Sequence, residues 1–335
     1  MDGRLEISER DFAQCDEIVK ELPAYVRDWY LDMRSTGISA KSCKDYMHKV
    51  GGYLSYINAN RPEIKLEELT ASSARDYLIE KQVIIDNAGN KKASSKSYQQ
   101  GLWSCLNSFF EYLENTEQIA KNPLKKNGRP KGTDLDRINQ HRVLLTQEDF
   151  NKILKSVGQG CGSEKAQRYQ NKSRNRDEAI MRLFMCTGLR ESALTEINIS
   201  DINFNTNTLF IYDKGNIPHT FILTPACMSA INKSLAERPS VSPSDPLFIS
   251  ARGNRMHENT VSALVKKFTE AALGKSLSPH KLRSGVCSIL YHETKDIEFV
   301  RRFIGHSNTT ITMRYIVTDG AEIEKGNEIL TNLIG

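Results

Sequence analysis

The pattern of apolar and polar positions from about residue 10 to residue 120 predicts a bundle of helices. Apolar residues recur at helical spacing in the segment LPAYVRDWYLDMRSTG, which ends at Gly37. The candidate N-caps that precede further helical stretches are Ser39, Thr70, and Ser94 or Ser95. No convincing alternation of apolar and polar residues interrupts these stretches. We therefore expect a first domain of four or five helices without strands.

The pattern changes in the second half of the chain. Thr146 can cap a helix over LTQEDFNKILKSV, and DEAIMRLFMCTG predicts another helix that reaches Gly188. Two β-like runs follow, TLFIY and HTFIL, and the segment DKGNIP that joins them is typical of a hairpin. Helices resume from about Thr224. The predicted fold class is therefore mainly α with a small β-sheet, that is, α+β.

A segment rich in proline, glycine and basic residues separates these two patterns. It runs from Asn122 to about His141 and has the composition of an extended linker. We predict a helical domain over residues 1–122, a linker over 123–142, a second domain over 143–319 and a tail over 320–335. The tail carries an apolar helical stripe, and so short a helix needs a partner surface.

Charge is informative only where it is clustered, because the net charge of +5 on 335 residues is modest. The stretch KNPLKKNGRPK holds five basic residues and no acid. Its candidate DNA-binding residues are Lys125, Lys126, Arg129 and Lys131. A second basic stretch, SEKAQRYQNKSRNRD at residues 163–177, is expected to be irregular. A solvated loop explains either cluster about as well as nucleic-acid binding does.

Several classes of protein are disfavoured by the sequence. No apolar run approaches the roughly 18 residues that span a bilayer, and the N-terminus lacks a signal core, so a cytoplasmic location is expected. The seven cysteines form no CxxC pair, which argues against a zinc site or a disulfide framework. No GxxxxGK[ST] loop and no carboxylate cluster suited to Mg²⁺ is present, so neither cofactor nor metal is predicted.

Six polar residues of the second domain form a candidate active site. They are Arg190 in CTGLRESAL, Lys214 in the hairpin, His280 and Arg283 in SPHKLRS, and His306 and Tyr315 in GHSNTTITMRY. The spacing of His280 and Arg283 puts both on one face of a helix. Each residue alone has an ordinary structural explanation, but all six in this order are far harder to explain by chance.

These residues resemble the motifs of the tyrosine recombinases, also called phage-type integrases. The similarity covers roughly residues 20–320 and includes TGLR, a hairpin lysine, the HxLR pattern and the GHS…Y run. It implies a core-binding domain and a catalytic domain that close on DNA as a C-shaped clamp. The implied roles are Tyr315 as nucleophile, Arg190, Arg283 and His306 as phosphate ligands, Lys214 as general acid, and His280 as base or proton shuttle.

The chemistry of phosphodiester cleavage calls for the same residue types. Attack by an oxygen creates a crowded phosphorane with added negative charge, and guanidinium groups can each donate two hydrogen bonds to it. A phenol with a pKa of about 10 is ionised only about one part in a thousand at pH 7, a deficit of about 4 kcal/mol. Two arginines and a base can supply that amount. A 3′-phosphotyrosine would keep the energy of the broken bond, so rejoining needs no ATP.

Three positions depart from the family pattern. Ala193 stands where an acid often follows the first arginine, and Ser284 and Gly285 stand where bulkier residues are common. We therefore expect weaker support for the two arginines.

The implied partners are a duplex DNA recombination site, a homotetramer assembled on it, and DNA-bending accessory proteins in some systems. The tail would pack on a neighbouring protomer, although packing on its own domain is an alternative. A type IB topoisomerase is the alternative enzyme, and a catalytically silent DNA-binding protein is the alternative outside enzymes. The target sequence, and the choice between integration, excision and chromosome-dimer resolution, are left open.

Overall fold

A computed structural model describes residues 2–85, 89–125, 128–131, 145–213 and 217–305. The chain divides into two compact units, Arg4–Arg137 and Ile138–Gly335, the second including Met1–Gly3. The described elements are mainly α-helices with two small antiparallel sheets. The predicted α+β class is therefore confirmed.

Helices build the first unit. They are α1 (Gly3–Lys20), α2 (Ala24–Ser35), α3 (Ala40–Asn60), α4 (Ala71–Glu80) and α5 (Lys96–Asn115), with a short 3₁₀ turn at Leu66–Glu68. The side chains of Ser39, Thr70 and Ser95 accept hydrogen bonds from backbone N–H groups three residues later. Each bond satisfies a donor that the helix itself leaves unpaired, so these three predicted caps are confirmed.

An aromatic core holds this unit together. The Trp29 ring lies 5.1 Å from Phe109, and Tyr53 meets Phe110 edge-on at 5.6 Å. All four side chains are essentially buried. Such pairs contribute roughly 0.5–1.5 kcal/mol each beyond the area they bury.

A small β-ribbon in the first unit was not expected. Strand β1 (Val83–Ile85) pairs antiparallel with β2 (Lys91–Ala93). The expectation of a first domain without strands is therefore wrong. The run Val-Ile-Ile is β-branched, and Gly89 has φ +83°, a conformation that favours glycine.

The predicted linker also begins too early. Leu124 is fully buried in the core of the first unit, and its N–H donates to Asn122 Oδ1 at 2.8 Å. Gln100 on α5 donates to the Pro130 carbonyl at 2.9 Å. The first unit therefore continues beyond residue 122, and residues 132–144 lie outside the described part of the chain.

The second unit combines helices with a three-stranded sheet. Its helices are α6 (Gln147–Gln159), α7 (Glu164–Asn171), α8 (Arg174–Thr187), α9 (Glu191–Glu196), α10 (Pro225–Ala236), α11 (Glu258–Leu273), α12 (Pro279–Thr294) and α13 (Ile297–Ile304), with a 3₁₀ turn at Ile199–Asp201. The strands β3 (Ile202–Asn203), β4 (Thr208–Asp213) and β5 (Ile217–Ile222) are antiparallel in that order. The pairing of β4 with β5 confirms the predicted hairpin, and the Thr146 hydroxyl caps α6 as expected.

The basic stretch at residues 163–177 is helical, which corrects the expectation of an irregular loop. Ser163 caps α7, and the Gln170 side chain bonds both the N–H and the carbonyl of Cys161, at 2.9 and 2.7 Å. Helix α7 buries none of its residues, so its sequence has no apolar stripe from which the helix could be predicted.

The core of the second unit lies between α8, α10 and the sheet. Phe184 on α8 and Leu209 on β4 are fully buried there, with Phe221 of β5 beside them. Among the described residues, no helix combines the length and the apolar character needed to cross a bilayer.

Candidate active site

A glycine turn presents the first candidate arginine. Helix α8 ends at Gly188, which has φ +60°, and Arg190 then occupies the N-cap position of α9. A Cβ on Gly188 would lie 2.6 Å from the Ile304 Cδ1 atom of α13 and would clash with it. Both the left-handed backbone and the close approach therefore favour glycine in the TGLR pattern.

Arg190 is held by an ion pair that the sequence did not indicate. Its Nη1 contacts Oδ1 of Asp213, the last residue of β4. The Asp213 side chain is 8% exposed, whereas that of Arg190 is 30% exposed. A guanidinium paired with a largely buried carboxylate is held more firmly than one at an open surface.

The second arginine is fixed by backbone carbonyls. Arg283 on α12 is 4% exposed, and its Nη1 donates to the Gly188 carbonyl at 2.6 Å. Its Nη2 donates to the Ile304 carbonyl at the end of α13, at 2.9 Å. The Arg283 guanidinium therefore ties together the ends of two helices and lies against the turn that carries Arg190.

His280 lies one helical turn before Arg283. Its ring keeps an exposed surface, yet the surrounding atoms displace water and lower its pKa from the ordinary value of 6.5. The charges of Arg283, Lys281 and Arg190 lower the pKa further. The imidazole is therefore biased toward the neutral form, which can accept a proton.

His219 on β5 is a member of this cluster that sequence reasoning missed. Its ring packs 4.3 Å from Phe221, and burial lowers its pKa. Asp213 opposes that shift, while Arg283 and Arg190 add to it. A Cβ on Gly305 would lie 3.1 Å from His219 Nδ1. The sequence alone does not place His219 at the site, because its position depends on the strand register, which pairs it with Ile211 in the folded hairpin.

Two of the three departures from the family pattern are explained by local packing. Ala193 is 3% exposed and belongs to the apolar core. A Cβ on Gly285 would lie 2.8 Å from the Leu145 Cβ, so the close packing of Leu145 against α12 requires glycine at position 285. The buried Ser284 hydroxyl has no hydrogen-bond partner within the described structure. The expectation of weak support is wrong for both arginines, since Asp213 and two carbonyls hold them.

Three of the six predicted residues fall outside the described part of the chain. These are Lys214, His306 and Tyr315. The residues that directly precede the first two, Asp213 and Gly305, both line the cluster around Arg190. The structure thus brings together Arg190, His280 and Arg283.

The predicted DNA-binding residues of the linker differ in their surroundings. Lys125 pairs with Glu114 at 2.7 Å, and this pair lowers the pKa of the Glu114 carboxyl. Arg129 and Lys131 are exposed, and Lys126 lies outside the described residues.

In the part of the chain that the structure describes, no group of three or more His, Cys, Asp or Glu side chains could hold a metal ion.

The second unit matches a known family. Residues 144–321, more than half of the chain, fit the model of the phage integrase family. The chain belongs to this family. The predicted membership of the tyrosine recombinases, and with it the prediction of a DNA strand-transfer enzyme, is confirmed.

Individual relatives support the same assignment. Tyrosine recombinase XerC of Caldanaerobacter subterraneus subsp. tengcongensis is 32% identical over 242 residues, which cover 70% of this chain and 63% of that relative. The match therefore spans less than two thirds of that protein. The XerH site-specific recombinase in its post-cleavage complex with a palindromic difH substrate has a TM-score of 0.67 at 17% identity, covering 96% of this chain and 89% of that one.

A third comparison concerns an assembly. The lambda integrase tetramer bound to a Holliday junction has a TM-score of 0.60 at 19% identity, covering 88% of this chain and 76% of that one. At such identities the two structural matches establish the fold of this chain and nothing finer. The roles of the six site residues therefore stay predictions.

Proposed function

We propose that this chain is a site-specific tyrosine recombinase that cuts and rejoins duplex DNA through a 3′-phosphotyrosine at Tyr315. The observation that carries the proposal is the convergence of Arg190, Arg283 and His280 in one cluster of the second unit. These groups come from the α8–α9 turn and from α12, and both arginines are held in place. Family membership supports the same chemistry.

The two arginines and His306 would bind the non-bridging oxygens of the scissile phosphate. Charge grows on those oxygens as the phenolate attacks, so donors that are already oriented stabilise the transition state more than the ground state. Loss of one such donor typically costs about 3–4 kcal/mol, or roughly a hundred- to a thousandfold in rate. The hydrogen bonds of Arg283 to the Gly188 and Ile304 carbonyls supply the required orientation.

Proton transfer would be divided between two groups. The Tyr315 oxygen forms a bond to phosphorus and its proton passes to His280, whose lowered pKa keeps the ring ready to accept it. The bond between phosphorus and the 5′-oxygen breaks, and Lys214 gives that oxygen a proton. Rejoining reverses both transfers, with a 5′-hydroxyl of the partner strand as the nucleophile.

The substrate and assembly follow from the same chemistry. Four such cuts exchange the strands of two duplexes, which calls for a homotetramer on DNA, and the fold is shared with a lambda integrase that forms a tetramer on a Holliday junction. DNA-bending accessory proteins stay a prediction, as does docking of the tail on a neighbouring protomer. The cytoplasmic location also stays a prediction.

Covalent capture tests the proposal without knowledge of the target. The purified chain is incubated with sheared genomic DNA of its host, denatured, and the DNA that remains attached to protein is sequenced. We expect one enriched sequence with wild-type protein and no adduct with Tyr315→Phe. An adduct from Tyr315→Phe would overturn the nucleophile assignment and point to Tyr291. A chromosomal locus as the captured site favours dimer resolution, and the ends of a mobile element favour integration and excision.

A plasmid relaxation assay, together with covalent capture, separates the alternatives. A type IB topoisomerase would relax supercoiled plasmids that lack the captured sequence, and a silent DNA-binding protein would give no adduct at all.

Lys214→Ala should be rescued by a 5′-bridging phosphorothioate, whose leaving group needs no proton. Equal rescue of Arg190→Ala would contradict the general-acid role of Lys214.

A further inference from the structure

We infer that Asp213 is a positioning residue for cleavage, whose carboxylate aims Arg190 at the scissile phosphate. This inference rests on the proposed function of the site. Asp213 is not one of the six predicted site residues, and the sequence alone gave no reason to select it. Its role follows from where the end of β4 meets the turn that carries Arg190.

Both oxygens of the Asp213 carboxylate lie at the site. Oδ1 contacts Arg190 Nη1, and a Cβ placed on Gly305 would lie 3.0 Å from Oδ2. The same Cβ would lie 3.1 Å from Nδ1 of His219, so the carboxylate, the imidazole and the residue before His306 share one small volume. With 8% of its side chain exposed, Asp213 is largely shielded from water.

Arg190 needs such a partner for two physical reasons. It stands at the start of a six-residue helix with 30% of its side chain exposed, and fixing a long arginine side chain in one conformation costs rotamer entropy. Arg190 and Arg283 also both act on His280 and His219, so two cations converge where no phosphate is yet bound. A buried carboxylate offsets their repulsion and keeps Arg190 in place until DNA arrives.

The carboxylate has to come from the hairpin. Ala193 lies one helical turn beyond Arg190, but it is packed in the apolar core and carries no charge. The end of β4, which is paired with Ile217 on β5, approaches Arg190 instead. Asp213 also directly precedes Lys214 in the sequence, so one chain segment would orient the phosphate ligand and carry the general acid.

The test is the single-turnover cleavage rate of Asp213→Asn on a nicked duplex of the captured sequence. The substitution keeps the shape of the side chain and removes its charge. We expect cleavage to slow about 10- to 100-fold, the cost of a misplaced catalytic group, with DNA affinity unchanged. Asp213→Glu should recover part of the rate. The matched control is Asp245→Asn, which removes a carboxylate paired with Arg238 elsewhere in the same unit and should cleave normally.

A neutral substrate distinguishes positioning from a general structural role. A methylphosphonate at the scissile position lacks one charged oxygen, so the aim of Arg190 matters less. We expect the rate ratio of wild type to Asp213→Asn to fall below about threefold on this substrate, since most of the 10- to 100-fold effect acts through Arg190. A merely structural defect would slow both substrates equally.

A double-mutant comparison completes the test. Arg190→Ala with Asp213→Asn should be no slower than Arg190→Ala alone, because Asp213 acts through Arg190. A wild-type rate for Asp213→Asn, equal slowing on both substrates, or additive effects would overturn the inference. If Asp213→Asn fails to fold, the same comparisons with Asp213→Glu decide. Failure of the wild type to form an adduct would instead overturn the proposed function.

Discussion

Arg283 should matter for stability as well as for catalysis, and the size of the effect can be worked from its contacts. The residue is 4% exposed, and its guanidinium donates to two carbonyls, those of Gly188 and Ile304. Arg283→Met fills similar space but leaves both carbonyls without their charged donor. Hydrogen bonds to charged groups contribute roughly 1.5–3 kcal/mol each, so the free energy of unfolding should fall by about 3–6 kcal/mol.

Arg190→Met is the matched control in the same site. Its side chain is 30% exposed and pairs with the Asp213 carboxylate, not with backbone carbonyls. Loss of the pair leaves that carboxylate, on a side chain only 8% exposed, without its guanidinium, which costs roughly 1–3 kcal/mol, so this variant should lose less stability than Arg283→Met does. The two substitutions therefore differ in their effect on stability, although each is expected to slow cleavage by roughly a hundred- to a thousandfold.

The placement of tryptophan makes the measurement specific. The chain has two tryptophans, Trp29 and Trp103, and both lie in the first unit. Urea unfolding followed by tryptophan fluorescence reports on that unit, while circular dichroism follows both. With a slope of about 3 kcal/mol per molar urea, a loss of about 3 kcal/mol shifts the midpoint by about 1 M. An unchanged circular dichroism transition in Arg283→Met would refute the structural role of Arg283.

Three further predictions follow from charges and pKa shifts. Because the pKa of His280 lies below 6.5, its ring stays neutral as pH falls to that value, so the acid limb of the cleavage rate should lie below pH 6.5 and should disappear in His280→Asn. Hydrogen bonds lower the pKa of Cys186 to about 6, so its alkylation by iodoacetamide should already be near its maximum at pH 7, as peptide mapping can show. Neutralising Arg129 and Lys131 should flatten the log–log salt dependence of DNA binding by about 2, whereas Lys125→Gln should change it less because that lysine already has an acidic partner. An unchanged slope in a filter-binding titration would mean that the linker does not contact phosphate.

Local signals explain why much of the fold could be predicted from the sequence. Each confirmed cap is a Ser or Thr whose oxygen bonds an N–H three residues on, an interaction that needs no tertiary structure. The β4–β5 hairpin pairs two runs rich in β-branched and aromatic residues that lie only three residues apart in the sequence, which is equally local. Elements that bury little carry no such signal: α7 packs no apolar face, and each strand of the β1–β2 ribbon has only three residues.

The sequence predicted candidate residues of the site but not the contacts that hold the two arginines in place. Residue types and spacing selected Arg190, His280 and Arg283, but every contact that fixes the two arginines joins residues distant in sequence. Arg283 reaches a carbonyl 95 positions away, at Gly188, and the carboxylate beside Arg190 arrives from the hairpin. Shared helical spacing placed His280 and Arg283 on α12 correctly, yet one is exposed and the other buried.

Glycines at helix ends account for this arrangement. Gly188 ends α8 in the left-handed conformation, its carbonyl binds Arg283, and Arg190 follows two residues later, so one turn sets the position of both cations. Gly305 ends α13 in the same conformation, at φ +75°, and leaves the space that Asp213 Oδ2 and His219 Nδ1 occupy. Replacing either glycine by alanine strains the backbone and places a Cβ against Ile304 in the case of Gly188, or against Asp213 and His219 in the case of Gly305. The two glycines therefore act on the site without any side chain of their own, because they decide where the charged groups can converge.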